Sequence, residues 1–194
     1  MTKRDILLTG GARSGKSTKA EEIAKEIGGR VLFVATADAG DEEMKYRIKK
    51  HRTDRPQEWD TLETMANVGQ RLLEITQNYD VVIIDCLTML ACNVIGEAVN
   101  KYGDDVAEEF IENMLKTETD ALQKAMQSNA ASFLLVTNEV GLGIVPDNRL
   151  GRLYRDTLGR ANQRMASVCS EVIFLVSGCS WYVKGNPPLR KVGL

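Results

Sequence analysis

The amino-acid sequence predicts a doubly wound α/β fold with a mostly parallel sheet, built as a single domain over residues 1–194. Two observations indicate this class. Short runs rich in β-branched residues alternate with longer segments of helical periodicity. Most of these runs are also nearly continuously apolar, as is typical of strands covered on both faces of a sheet. Strands and helices that alternate in this way pack as right-handed crossovers on one sheet.

Five segments are predicted to be strands, and a sixth is a candidate for a terminal strand. They are Asp5–Thr9, Val31–Thr36, Val81–Asp85, Ser132–Thr137 and Val172–Ser177, with the candidate at Trp181–Lys184. The helical segment Lys16–Ile27 follows the first strand. The clearest helical pattern runs from Asp104 to Met126, where apolar residues recur at steps of three and four and form an amphipathic stripe.

The composition excludes several classes of partner. The chain has 25 Lys and Arg against 27 Asp and Glu, a formal net charge of −2, so it has no net positive field for nucleic acid or an anionic membrane. No apolar stretch reaches the roughly 18 residues of a membrane-spanning helix. Four cysteines without a C-x-x-C pair and one histidine predict reduced thiols in a cytoplasmic protein and no protein-bound zinc.

A glycine-rich loop follows the first predicted strand and matches the pattern G-x-x-x-x-G-K-S. Glycines let the backbone curl so that successive N–H groups face phosphate oxygens, and a helix starting near Lys16 adds its positive end. Lys16 supplies a catalytic charge for the β- and γ-phosphates, and the Ser17 hydroxyl suits Mg²⁺. This setting predicts a sheet of the P-loop NTPase, RecA-like type, with nucleotide contacts from Gly10, Gly11, Ala12, Arg13, Ser14, Gly15, Lys16 and Ser17.

A second element of such a site is a carboxylate near the metal. The segment Val81–Asp85 consists of four apolar residues followed by an acid, which is the Walker B pattern. Ligands of parallel α/β sheets bind outside the carboxyl ends of the strands. Because the segment follows a phosphate loop, we interpret Asp85, with Ser17, as a Mg²⁺ ligand.

The chain's only histidine lies in a highly charged segment that the pattern predicts to be a helix from Asp41 to about His51–Thr53. Met44, Ile48 and His51 share one face of this helix, and basic residues surround the imidazole in sequence. Nearby cations lower an imidazole pKa, which leaves the ring neutral and nucleophilic at pH 7. This pattern alone leaves two hypotheses open for His51: a histidine at the edge of a core, and a nucleophile that faces a phosphate site.

Several longer motifs together resemble one known family. They are T-G-G-A-R-S-G-K-S, V-A-T-A, H-R-T-D-R-P-Q-E-W, V-I-I-D-C and L-V-T-N-E-V-G-L-G-I-V-P-D-N-R-L-G-R. The sequence resembles the bifunctional adenosylcobinamide kinase/adenosylcobinamide-phosphate guanylyltransferase family of cobalamin biosynthesis, from about Ile6 to Gly178. The H-R-x-x-R-P-x-x-W and T-N-E-V-G-x-G-I-V-P blocks are far more specific than the phosphate loop.

The resemblance implies two reactions. A nucleoside triphosphate, ATP or GTP, phosphorylates adenosylcobinamide. GTP then transfers GMP to a histidine, which matches His51 here, and the phosphorylated corrinoid takes the GMP to form adenosylcobinamide-GDP. The resemblance further implies Mg²⁺ with the nucleotides, cobalt carried by the substrate and not by the protein, and a homo-oligomer that is a trimer.

The resemblance also implies nucleotide contacts beyond the phosphate loop. A turn after the second strand is one such position, the run that follows the histidine is another, and two acidic positions complete the set. These residues are Ala35, Thr36 and Ala37, then Arg52, Thr53, Asp54 and Arg55, and finally Glu63 and Asp85.

Two other functions remain as alternatives: a monofunctional small-molecule P-loop kinase, and a nucleotide-gated regulatory protein. The N-K-x-D box of GTPases is absent, because Thr137–Gly141 contains neither its Lys nor its Asp. Glu139 is expected either to bind substrate or to shape the loop. The arginines from Arg149 to Arg164 are expected to form a solvated row, with Arg152 or Arg155 as exceptions, and Trp59 and Trp181 to be packing residues.

Overall fold

The computed structural model describes residues 2–37, 56–75 and 78–187, and within these ranges it contains seven strands and five helices. In chain order they are β1 (Asp5–Gly10), α1 (Lys16–Ile27), β2 (Val31–Ala35), β3 (Asp60–Glu63), α2 (Val68–Ile75), β4 (Val81–Asp85), α3 (Leu87–Tyr102), α4 (Glu108–Gln127), β5 (Ser132–Val136), α5 (Arg149–Val168), β6 (Glu171–Val176) and β7 (Cys179–Lys184).

The strands form one sheet in the order β3-β2-β4-β5-β1-β6-β7. Every neighbouring pair is parallel except β6 with β7, which is antiparallel at the edge. The predicted mostly parallel α/β class is therefore confirmed. The helices that follow the adjacent strands β5 and β1 pack on opposite faces of the sheet, and this arrangement opens a crevice at the carboxyl ends of the strands, where ligands bind.

The hydrophobic core lies on both faces of the sheet because side chains alternate along each strand. On one face Ile6 and Leu8 of β1 pack in a cluster with Ile23 of α1. On the other face Leu7 belongs to a cluster that contains residues of α3, α4 and α5, among them Leu158. This two-sided burial explains the nearly continuous apolar runs. No helix within the described ranges has the length and apolarity to cross a bilayer.

Strand β3 was not predicted from the sequence. Its four residues Asp60–Glu63 are mostly exposed, and the strand forms the edge of the sheet beside β2. An edge strand with one covered side needs no apolar run, and charged residues on such an edge discourage pairing with other chains. The strand is therefore defined by its backbone pairing with β2 and not by a hydrophobic pattern.

The predicted helix from Asp104 to Met126 begins too early. Helix α3 ends at Tyr102, Gly103 follows with a φ of 85°, and α4 begins only at Glu108. A positive φ suits glycine and ends the preceding helix, so the polar residues that follow form a turn. The predicted helix that begins at Asp41 lies outside the described residues.

Helices α2 and α4 meet at a glycine, and this close contact leads to the first prediction. A Cβ added at Gly69 would lie 2.2 Å from the backbone atoms Ala121 C and Leu122 N. We expect Gly69→Ala to lower the free energy of unfolding by about 3 kcal/mol, because one helix has to move. Gly96→Ala is the matched control, since a Cβ there meets no atom within 4 Å. We expect it to raise stability by about 0.5–1 kcal/mol. Urea unfolding measures both, and equal stabilities would contradict the contact.

Candidate functional site

The phosphate loop begins at a position that only glycine can occupy. Gly10 ends β1 with a φ of 145°, and an added Cβ would lie 2.3 Å from Leu175 O and 2.9 Å from Ser14 Oγ. Both the backbone conformation and the approach of β6 therefore exclude a side chain. The first glycine of the motif sets how closely the loop can follow the sheet.

Two hydrogen bonds and the backbone conformation of a second glycine hold the loop in a curled conformation. Ser14 N–H donates to Gly11 O at 3.3 Å, and Gly178 N–H, in the turn between β6 and β7, donates to Ser14 O at 3.0 Å. Gly15 precedes α1 with a φ of 96°. The loop is thus supported from outside, and the first N–H groups of α1 point out of the helix end, where they can bind an anion.

Lys16 lies at the centre of this cradle. Its side chain is only 7% exposed, and Nζ donates to Gly11 O at 2.6 Å and lies 3.5 Å from Ser14 Oγ. Burial lowers the pKa of Lys16 below its ordinary value, while Cys86 and Asp85 act to raise it. The hydrogen-bond partners of this buried ammonium are neutral, so its charge favours binding of an anion, as expected for a phosphate-binding lysine.

The lowered pKa of Lys16 leads to a prediction on proton linkage. Phosphate oxygens stabilise the protonated ammonium, so nucleotide binding raises the pKa that burial lowers. At pH values below the pKa of Lys16 in the free protein, the lysine is protonated both before and after nucleotide binding. As the pH rises through that pKa, the free lysine loses its proton. Nucleotide binding then takes up a proton, and nucleotide affinity falls. Calorimetric titration of GTP in buffers of different ionisation enthalpy should show uptake on the alkaline side, in the wild type and in Lys19→Ala. Proton release there would contradict the assignment.

The carboxylate of Asp85 is positioned by its neighbours in the sheet. Asp85 ends β4 in register with Ala35 and Val136. The fully buried Thr36 hydroxyl donates to Cys86 O at 2.7 Å and accepts from Cys86 N–H at 2.8 Å. This clamp fixes the backbone immediately after Asp85. The carboxylate also raises the pKa of Lys16, so the two charges act on each other.

Asn93 is a residue that sequence reasoning missed. Its Nδ2 donates to Thr36 O at 2.8 Å and to Met65 O at 2.9 Å. Asn93 therefore ties the end of β2 to the segment that follows β3. The one available signal was a polar residue inside the otherwise apolar stretch Met89–Ile95.

Cys86, next to Asp85, is not a nucleophile at neutral pH. Burial raises the pKa of its thiol to about 12, and the negative charge of Asp85 acts in the same direction. The thiol therefore stays protonated, and Cys86 packs against the α1-side core.

The residues predicted to bind Mg²⁺ have suitable chemistry. Ser17 lies in the first turn of α1, and Asp85 ends β4. The charge of Asp85 acts to raise the pKa of Lys16. A hydroxyl and a carboxylate are the few oxygen ligands that Mg²⁺ takes from a protein when phosphates and waters supply the rest. In the part of the chain that the structure describes, no group of three or more His, Cys, Asp or Glu side chains could hold a metal ion on its own.

The other predicted nucleotide contacts fall into two groups. Ala35, Thr36 and Ala37 lie at and just after the end of β2, and Glu63 ends β3 in register with Ala35. These residues lie at the carboxyl ends of their strands, as the phosphate loop does at the carboxyl end of β1. The remaining ones, His51, Arg52, Thr53, Asp54 and Arg55, lie outside the described residues.

Glu139 shapes the loop after β5. Its N–H donates to Gly10 O at 3.1 Å, and its Oε1 accepts from Gly141 N–H at 2.6 Å. The loop-shaping alternative is therefore observed. The first contact also joins the β5 loop to the phosphate loop.

Arg149 is not merely solvated, which corrects the expectation for that residue, whereas Arg152 is one of the two exceptions that the sequence analysis expected. Arg149 Nη2 donates to Val106 O at 2.6 Å, and Arg152 Nη1 donates to Pro146 O at 3.0 Å. These bonds hold the loops around the start of α5. The two tryptophans also differ: Trp59 packs at the edge of the α1-side core, whereas Trp181 is 68% exposed and is not a buried packing residue.

Comparison with known sequences places almost the whole chain in one group. The family model described as cobinamide kinase / cobinamide phosphate guanyltransferase matches residues 6–183. The chain is 38% identical over 180 residues to the bifunctional adenosylcobalamin biosynthesis protein CobU of Escherichia coli K12, covering 92% of this chain and 99% of the relative. It is 39% identical over 184 residues to the bifunctional adenosylcobalamin biosynthesis protein CobP of Pseudomonas aeruginosa, covering 95% and 99%.

Comparison with solved structures supports the fold alone. A prototypical ATPase from the type III secretion system of pathogenic bacteria aligns with a TM-score of 0.55 at 13% identity over 89% of this chain. The ATPase EscN of enteropathogenic E. coli aligns with a TM-score of 0.56 at 12% identity over 90%. The chain spans only 51% and 43% of the lengths of those two proteins. The shared part is the α/β fold of this chain.

Proposed function

This chain belongs to the cobinamide kinase / cobinamide phosphate guanyltransferase family, and from that membership we propose that it phosphorylates adenosylcobinamide and then adds GMP from GTP in cobalamin nucleotide-loop assembly. One observation carries the proposal: the family match over residues 6–183 includes the structured phosphate loop with its buried Lys16. The chain is a bifunctional kinase and guanylyltransferase.

The kinase step is a phosphoryl transfer from ATP or GTP. The aminopropanol hydroxyl oxygen of adenosylcobinamide forms a bond to the γ-phosphorus, and the bond from that phosphorus to the β–γ bridging oxygen breaks. The nucleoside diphosphate leaves, and the hydroxyl proton goes to solvent. Lys16 and the N–H groups at the start of α1 hold the phosphates and offset the charge that develops on their oxygens.

The guanylyl transfer proceeds in two displacements through His51. A neutral imidazole nitrogen attacks the α-phosphorus of GTP, and pyrophosphate leaves. A phosphate oxygen of adenosylcobinamide phosphate then attacks the same phosphorus, the P–N bond breaks and the imidazole is regenerated. The covalent intermediate divides one difficult displacement into two easier ones. The basic residues near His51 in sequence keep the ring neutral and favour phosphate binding.

Both steps are proposed to use nucleotides with Mg²⁺, which would neutralise part of the phosphate charge when bound. Ser17 and Asp85 would hold it. By resemblance the chain forms a homo-oligomer, a trimer, and its cysteine pattern predicts a place in the cytoplasm. Both of these statements remain predictions.

A product assay tests the proposed function. The purified protein is incubated with adenosylcobinamide, Mg²⁺ and ATP, and then with GTP, and the corrinoid products are separated by mass. We expect the phosphate ester first and the GDP derivative after GTP is added. Formation of the phosphate ester alone would identify a monofunctional kinase, and no change in the corrinoid would contradict the proposal.

A further inference from the structure

A cleft of about 530 Å³ lies between α5 and the sheet, on the face opposite α1. Its floor is formed by Leu7 and Thr9 of β1 and Val172 of β6, and its wall by α5 residues that include Arg155 and Gln163. Glu139 and Gly141 line the end at the carboxyl edge of the sheet. Because Gly10 follows Thr9 directly, this end of the cleft adjoins the phosphate loop.

The floor of the cleft continues onto an aromatic surface. Thr9 is in register with Phe174, and Phe174 with Trp181, so these three side chains form a row across β1, β6 and β7 on one face. The Phe174 and Trp181 rings are 6.4 Å apart and nearly perpendicular. Trp181 is 68% exposed and Val176 54%. We call Phe174, Val176 and Trp181 the aromatic shelf.

Two further observations mark the cleft as built for a ligand. Among the described residues, the buried Thr9 Oγ1 has no hydrogen-bond partner, although such groups normally have one. At the far end Lys184 Nζ donates to Ala166 O at 2.9 Å and to Ser167 O at 3.1 Å, which joins β7 to the end of α5. A partly polar cleft beside an exposed apolar shelf suits a large amphipathic molecule.

We propose that this cleft and the aromatic shelf bind the corrinoid acceptor, with the macrocycle against Phe174 and Trp181 and its hydroxyl arm directed along Thr9 toward the phosphate loop. The inference rests on the proposed function, since the acceptor is named by it. Cobinamide is a broad, flat ring with carboxamides around its rim. Aromatic side chains match the ring face, and Arg155, Gln163 and Thr9 match the carboxamide and hydroxyl groups.

The first test compares two variants, each of which lacks one buried threonine hydroxyl. Thr9→Val keeps the shape of the side chain and breaks no hydrogen bond within the described residues, so the variant should fold with wild-type stability. We expect the KM for cobinamide in the kinase reaction to rise about fivefold, with the KM for nucleotide unchanged. Thr157→Val is the matched control: that hydroxyl is also buried without a partner, but it does not line the cleft. Its KM values should match the wild type.

The second test separates this cleft from a rival. Trp181→Ala should raise the cobinamide KM by about tenfold or more. A second cleft, of about 650 Å³, is lined by Met65, Cys92 and Gly96 of the segment after β3 and of α3. Met65→Ala should leave the cobinamide KM unchanged. A raised KM in Met65→Ala together with wild-type values in Thr9→Val and Trp181→Ala would overturn the inference while the proposed function stands. Failure of the wild type to phosphorylate cobinamide would instead remove the proposed function.

Discussion

Replacement of Lys16 by alanine should lower kcat/KM for both the kinase and the guanylyl-transfer reactions by about 10²- to 10³-fold. The proposed function places the nucleotide phosphates of both reactions in the same loop, and Lys16 is a buried cation of that loop. The loss should be seen for nucleotide binding and for the chemical step, because the charge on the phosphate oxygens increases or moves during transfer. Steady-state kinetics with each nucleotide measure the effect.

The effect of Lys16→Ala should be one of function and not of folding. Burial already disfavours the ammonium in the free protein, so its removal should leave the thermal midpoint unchanged or slightly raised. Lys19→Ala is the control: Lys19 lies one turn further along α1 and pairs at the surface with Glu22 at 3.0 Å. It should retain wild-type kinetics. Similar losses in both variants would show a general charge effect and contradict a specific role for Lys16.

Replacement of His51 by alanine should lower guanylyl transfer by at least about 10⁴-fold, as loss of a covalent nucleophile does. Corrinoid phosphorylation should stay close to the wild-type rate, because the hydroxyl acceptor needs no histidine intermediate. The variant should therefore accumulate adenosylcobinamide phosphate when both ATP and GTP are present. Chromatography of the corrinoid products measures this change.

This division of activities identifies the role of His51 more sharply than either rate alone. A His51→Ala protein that is folded, binds GTP and has lost both activities would contradict it. A variant that retains guanylyl transfer would show direct displacement without a covalent step. Lys16→Ala should give a different pattern, because it should damage both reactions. The two variants together separate phosphate binding from nucleophilic catalysis.

Much of the nucleotide site was predictable because its chemistry is local in sequence. The loop Gly10–Ser17 and the acid that ends β4 lie where the motifs predict, and the apolar runs identify the buried strands. Both the positive φ of Gly10 and its close contact with β6 require glycine at this position. The motif already specifies a glycine there, although β6 is distant in sequence. Local patterns therefore predict the elements that we propose to bind phosphate and the order in which they occur.

The rest depends on contacts between distant parts of the chain. Thr36 and Asn93 meet across 57 positions of sequence, and no motif includes both. The row of Thr9, Phe174 and Trp181 exists only because of the register between three strands. Strand β3 has no apolar run, and the early end of α3 follows from the positive φ of one glycine. Pairing, register and backbone conformation are properties of the folded chain.

In the proposed mechanism His51 carries the guanylyl group between GTP and the corrinoid. The direct measurement is incubation of the wild-type protein with Mg²⁺ and GTP labelled at the α-phosphorus, followed by denaturation and mass analysis of peptides. We expect a GMP adduct that is labile in acid and stable in base, as a P–N bond is, on the peptide with the chain's only histidine, and no adduct in His51→Ala. Label on any other residue, or none on a folded protein that completes guanylyl transfer, would rule out His51 as the carrier.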